Sequence, residues 1–199
     1  MLGINNEARG AEAALAPTLV NTPSARAVAT GVAVVAAVAL PQAFHVAGAA
    51  LGVGGAIGQT FLPMFLPVFM VGLLAGPVAG GVTGVLAPLT SLALTGMPAP
   101  GIALAYVTVE LAVCGAVCGL LAPRRMPTVT KVLAAQACGW AAVLATFVAS
   151  ALASGSLGMA TLSAVGAVIV RGVPGLVLQW TVLPLVVDLA CRSRRGFDE

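Results

Sequence analysis

Between Arg26 and Arg124 this chain contains no lysine or arginine, and its only carboxylate is Glu110. A run of that length without charge has few folded options in water and an obvious one in lipid. A bilayer-spanning helix needs about 20 apolar residues, so the run accommodates about four spans and their turns. The segment from Val132 to Val187 carries a single charge, Arg171, and adds room for about two more. The whole chain is 8% charged, where soluble domains carry roughly 25%. Its mean hydropathy of +1.08 agrees. The expected fold class is an all-α integral membrane protein with six transmembrane helices in one domain, residues 25–192. Short cytoplasmic tails are expected at 1–24 and 193–199. Residues 1–23 lack a basic start followed by an apolar core and do not read as a cleavable signal peptide.

Charge sets the expected orientation. In a six-helix arrangement with the N-terminus inside, Arg9, Arg26, Arg124, Arg125, Lys131, Arg192, Arg194 and Arg195 share one side; they are eight of the nine basic residues. This is the positive-inside bias, and it places both termini in the cytoplasm. The net charge of +3 is thereby explained by membrane topology rather than by nucleic acid.

Punctuation inside the apolar run is informative. The stretch Leu62–Pro98 carries prolines at 63, 67, 77, 88 and 98, and glycines at 72, 76, 80 and 84, four residues apart. Two short helices, about 60–75 and 77–95, joined by a cytoplasmic Gly76-Pro77 turn, fit this pattern. The rigid segment Thr95-Gly96-Met97-Pro98-Ala99-Pro100-Gly101 then faces outside. The first helix is expected over about 26–47, with a kink at Pro41, and His45 falls beyond that kink. The glycine-rich linker 48–58 reads as an outward loop or lid. The fourth and fifth helices are expected over about 102–121 and 128–151. A partial helix over 158–170 is expected to lie across the outer face, with the sixth helix opening at Arg171–Gly175 and ending near Cys191.

Four features carry possible chemistry. Ala25, Ala29, Ala33 and Ala37 form a small-residue ridge that suits close helix packing in lipid, within this chain or against a partner subunit. Glu110, near the middle of the fourth helix, is costly at that depth and suits either hydrogen bonds from a neighbouring helix or contact with a polar ligand. Arg171 lies in apolar sequence on the side where basic residues are scarce. Snorkelling to the outer headgroups, contact with Glu110 and contact with a substrate anion all suit it. Asp188 and Arg192 have the spacing of an i,i+4 ion pair.

Other classes lack their residues. There is no GxxxxGK[ST] phosphate loop, so ATP hydrolysis belongs to other subunits if it is needed. One histidine excludes a His-rich metal site, and Cys114 and Cys118, one turn apart, read as small apolar packers. No nucleophile–base arrangement is visible, so an enzyme is not expected, nor a cofactor.

Three segments together resemble the substrate-binding S components of energy-coupling factor (ECF) transporters. LPMFLPVFMVGLLAGP…GVLAPLTSLALTGMP at 62–98 is similar to that group's proline-led second helix, LGP turn and SPL-x-S-x-x-LTGMP ending. VELAVCGAVCGLL at 109–121 is similar to an ELA-x-YG-x-x-x-GLL helix, and RGVPGLVLQWTVLPLVV at 171–187 to GLPG-x-x-LQ-x-x-x-IP. Phe65, Ala87 and Cys114 depart from the pattern, where related chains often carry His, Ser and Tyr. The resemblance implies a prokaryotic plasma-membrane vitamin binder without enzymatic activity. It implies as partners a transmembrane scaffold subunit, which meets the first-helix alanine face, and two ATPase subunits. It implies an outward substrate site at Thr95, Gly96, Met97, Glu110, Arg171 and Gln179. Arg171 favours an anionic vitamin such as pantothenate, since guanidinium pairs with carboxylate in a fixed two-pronged geometry; the small-residue walls also suit a bulky neutral one such as cobalamin. Other readings of the chain are an autonomous small carrier or channel and a structural membrane protein with no ligand.

Overall fold

The computed structural model describes residues 20, 22–52, 62–155 and 159–195, and among them the secondary structure is helical, with no strand. The helices are α1 (Pro23–Ala50), α2 (Phe65–Ala75), α3 (Pro77–Thr95), α4 (Ile102–Leu121), α5 (Thr128–Ala153) and α6 (Met159–Arg195). Four of them, α1, α3, α4 and α5, are long and apolar enough to cross a membrane. The fold is therefore all-α with a multi-pass membrane character. α2 and the apolar stretch Gly172–Val187 of α6 are shorter. Consistent with lipid surroundings, Val28, Val35, Val78, Leu94, Leu120 and Leu152 are all exposed.

Local signals set most helix ends. Thr22 caps α1, its hydroxyl accepting from the Ala25 N–H at 3.2 Å, and Pro23 occupies the first helical position. Gly76 turns the chain between α2 and α3 with φ of +96°, a backbone conformation that glycine adopts without Cβ strain. α3 stops at Gly96, which takes the left-handed conformation at φ +73° and returns its N–H to the Leu92 carbonyl. At the other end of the bundle, Lys131 is buried and its Nζ donates to the Ala122 carbonyl at 2.7 Å. That places a cation on the C-terminal carbonyls of α4, where the helix dipole is negative.

Two expectations are revised. The 158–170 segment and the sixth helix are not separate pieces: from Met159 onward they form one helix of 37 residues running through Pro174 and Pro184. Proline removes only one backbone hydrogen bond, and neither Gly172 nor Gly175 adopts a positive φ, so nothing breaks the helical path at Arg171–Gly175. α1 runs through Pro41 to Ala50, beyond its expected end at 47. Of the proposed 48–58 lid, residues 53–58 lie outside the described residues, as do the side chains of Asp188 and Arg192.

The glycine ladder explains how α2, α3 and α4 pack. A Cβ on Gly80 would collide with the Gly115 backbone, one on Gly84 with the Leu111 backbone, and one on Gly119 with Pro77. Gly72 also faces the Gly115 carbonyl, so three helix backbones meet with no side chain between them. α2 is only 11 residues long, and Phe65, Val68, Phe69, Val71, Leu73 and Ala75 are all buried. A helix that is apolar all round belongs inside a bundle. Its core partners include Leu111 and Cys118 of α4, Val132 and Ala135 of α5, and Leu183 and Val187 of α6.

This packing also orients the bundle. The Gly76-Pro77 turn lies beside Gly119, near the end of α4, so Arg124, Arg125 and Lys131 share that end of the molecule. The α3–α4 connection lies at the opposite end.

Candidate functional site

At that opposite end a cavity of about 340 Å³ opens among all six helices. Its walls can be built up element by element. α1 contributes Pro41, Gln42 and His45, and the entry to α2 contributes Leu62 to Phe65. Leu62 has a φ of +47°, unusual for a residue with a branched side chain. α6 closes beside it because Gly172 has no side chain; a Cβ there would lie 2.8 Å from the Leu62 Cδ1. α3 offers Ser91, and the loop beyond it offers Met97, Pro98 and Ala99, with a cis peptide at Met97–Pro98.

The remaining wall comes from α4 and α5. α4 presents Ala103, Tyr106, Val107, Glu110 and Leu111, and α5 presents Gln136 and Trp140. Tyr106 stacks on Phe147 of α5, with ring centroids 5.3 Å apart, which holds its ring against the wall. α4 and α5 approach closely at Gly139, where a Cβ would lie 2.5 Å from the Cys114 Sγ and 3.3 Å from the Glu110 Cγ. Cys114 itself donates to the Ala135 carbonyl at 3.4 Å. These two cysteine-bearing turns are packing elements, with Cys114 and Cys118 both in the core.

Glu110 is 8% exposed and faces the cavity. Among the described residues its carboxylate has neither a hydrogen-bond nor an ion-pair partner. Buried polar groups are ordinarily paired, so an open carboxylate on a cavity wall is a place for something else to bind.

Gln136, one of the polar side chains in the wall with Gln42, His45, Ser91 and Tyr106, already makes two hydrogen bonds. Gln136 Nε2 donates to Gln179 Oε1 at 2.5 Å, while Gln136 Oε1 accepts from Trp180 Nε1 at 2.8 Å. Gln179 is completely buried, and its own Nε2 has no partner among the described residues. The α5–α6 contact is therefore fastened by a three-residue polar bridge that also fixes the face Gln136 shows to the cavity.

Of the residues expected at the site, Met97 and Glu110 line the cavity. Gln179 does not; it stands behind Gln136 and holds it. Thr95 and Gly96 are also one step removed. The Thr95 hydroxyl donates to the Ser91 carbonyl at 2.8 Å and accepts from the Met97 N–H at 3.3 Å, so it shapes the loop that presents Met97. The side chain of Arg171 lies outside the described residues, although its neighbour Gly172 is in the wall. Sequence reasoning missed Gln136, Trp140 and Tyr106. An amide and two polar-edged aromatics in otherwise apolar spans were the available signal.

The alanine ridge is not a continuous free surface. Ala33 and Ala37 are buried, where α1 packs on α2 and α3, and Ala33 clusters with Val71, Ala75 and Ala79. Ala25 is exposed and Ala29 half-buried. Small residues here let α1 approach its own bundle, and the face it turns outward carries Val28, Val32 and Val35 instead.

No protein-family model, curated protein or solved structure matches this chain.

Proposed function

We propose that the chain is a membrane-embedded small-molecule binder, and specifically the substrate-specificity component of an ECF-type transporter. One observation carries this reading: the three resembling segments meet at one cavity, although the third begins 50 residues beyond the end of the second (121 to 171). Met97 and Pro98 come from the first, Glu110 from the second, Gly172 and Leu176 from the third. With the basic end in the cytoplasm by the positive-inside rule, the cavity opens outward. All six helices then span the bilayer, the short α2 with the help of tilt or local thinning. A micronutrient captured there passes inward when a transmembrane scaffold and two ATPase subunits supply the energy. Because Ala33 and Ala37 are occupied within the bundle, the scaffold meets the outward valine face of α1.

The experiment is uptake of a labelled vitamin panel into cells or liposomes carrying this chain with and without an ECF energising module. Binding by the purified chain, with uptake only when the module is present, is the expected result. Uptake by the chain alone, without ATP, would assign it to autonomous carriers or channels. Failure to associate with any such module would remove the ECF assignment and leave a binding protein of another kind.

A further inference from the structure

We propose that the ligand of this cavity is a small, flat molecule of one or two rings that presents an amino or cationic amidine-type group to Glu110. This rests on reading the cavity as a binding site and deepens it to a ligand class.

Three features of the wall point to that chemistry. Glu110 offers a carboxylate that is nine-tenths buried, faces the cavity and has no partner among the described residues. Paired with a cation a carboxylate is held ionised, and an ionised carboxylate accepts hydrogen bonds and donates none, so its best complement is a charged donor. Gln136 is partly committed, its carbonyl oxygen accepting from Trp180 and its amide nitrogen donating to Gln179, which leaves one acceptor and one donor position for a neutral contact. Among the described lining residues Glu110 is the carboxylate, so it is the acceptor of highest charge density beside the neutral Gln42, Ser91, Tyr106 and Gln136.

The second feature is the sign of the remaining wall. No lysine or arginine is among the residues described as lining it. His45 is the remaining basic side chain among the described lining residues, and an anionic ligand that does not reach it meets Glu110 without a counter-charge, where like charges in a poorly solvated site repel strongly. The third is shape and surface. Tyr106 and Trp140 on one side and Met64 and Met97 elsewhere in the wall are flat or soft groups. Aromatic faces attract cations, and thioethers pack against ring edges. A volume of about 340 Å³ is near the lower limit for ligand pockets and accommodates one or two rings, not a macrocycle of corrinoid size.

The test uses the full chain in lipid nanodiscs and a matched charge series of probes: benzamidine, benzylamine and 4-aminopyridine against benzoate and benzyl alcohol, with pantothenate added as an anionic vitamin. Binding is read by titration calorimetry and by the shift in melting midpoint. The cationic probes are expected to bind and stabilise, with benzoate at least tenfold weaker than benzamidine, and Glu110→Gln is expected to weaken benzamidine at least tenfold. Trp140→Phe should weaken the cationic probes while leaving their order unchanged.

Preference for benzoate or pantothenate, abolished by Arg171→Ala, would overturn the donor proposal and leave the cavity a binding site for anions. Equal binding of benzamidine to the wild type and a folded Glu110→Gln would also overturn it. Should Glu110→Gln not fold, the charge series on the wild type decides alone. No response to any probe, or to a broad vitamin panel, would overturn both the proposal and the reading of the cavity as a site.

Discussion

The two ends of this bundle are packed by opposite means. Toward the basic end, Gly72, Gly80, Gly115 and Gly119 bring the backbones of α2, α3 and α4 into direct contact, and no side chain separates them. Toward the other end, Phe65, Tyr106, Trp140 and Gln136 hold the helices apart around an open volume. In lipid no hydrophobic force drives one apolar helix onto another, so association depends on close packing and on polar bridges. The glycine seam supplies the first and the Gln136–Gln179–Trp180 bridge the second. A pocket in such a protein needs both. The seam holds helices α2 to α4 rigidly enough that the far end can stay open, and the bridge anchors α6 to α5 without filling the space.

Substitutions in the seam should break this contrast most severely. Gly115→Leu places a branched side chain where the Gly80 backbone sits, and overpacking of this kind costs about 3 kcal/mol. A large fall in the midpoint of detergent-driven unfolding, or loss of folded protein, is the expected outcome. Gly31 is the control: nothing lies within 4 Å of a Cβ there, so Gly31→Ala should leave stability unchanged or raised by up to about 1 kcal/mol. Equal losses at both positions would mean that α2 to α4 are not in backbone contact.

Lys131→Met should come next. It removes a cation from the C-terminal carbonyls of α4 just beyond the seam, and a hydrogen bond from a charged donor contributes about 2 kcal/mol. Circular-dichroism melting would read the loss. Gln179→Leu should cost less, about 1–2 kcal/mol, because it strands the Gln136 amide but also removes an unpartnered buried nitrogen. The same substitution should weaken ligand binding through Gln136, whereas Lys131→Met should leave affinity intact. A calorimetric titration separates the two.

The smallest effect on stability is expected at the site itself, and with the opposite sign. Glu110→Leu replaces a buried, unpartnered carboxylate by an apolar side chain of similar size, which should stabilise the chain by about 1 kcal/mol. Binding should be lost at the same time. Such a trade marks a residue kept for function rather than for folding. A clear loss of stability would show instead that Glu110 is tied into the packing between α4 and α5.

The ends of α3 and α4 were legible from the sequence because their causes are local. Pro77 starts a helix, Gly96 ends one, and Pro123 and Pro127 stop and restart another; each acts through its own dihedrals. Glu110 stood out for the same kind of reason, as a lone carboxylate in a long apolar run. α6 shows the limit of that reasoning. Arg171–Gly175 has the composition of a helix start, yet the helix passes straight through, since a proline and two glycines permit a break without requiring one.

Helix rotation was the quantity the sequence left open. In water, the polar face of a helix reveals which side is buried; here both the core and the lipid-facing sides are apolar, so Ala33 and Val32 differ little in sequence and greatly in burial. The alanine ridge therefore looked equally suited to a partner and to the chain's own core. Gln179 was rightly noticed as polar, but only the rotation of α5 and α6 put Gln136 between it and the cavity. What the sequence determined alone was the membrane class, the ends of α3 and α4 and the identity of the buried acid, all set by composition and local backbone chemistry. Which side chains share a wall with that acid was decided by tertiary packing, because it depends on backbone contacts between glycines more than 30 residues apart, such as Gly80 and Gly115.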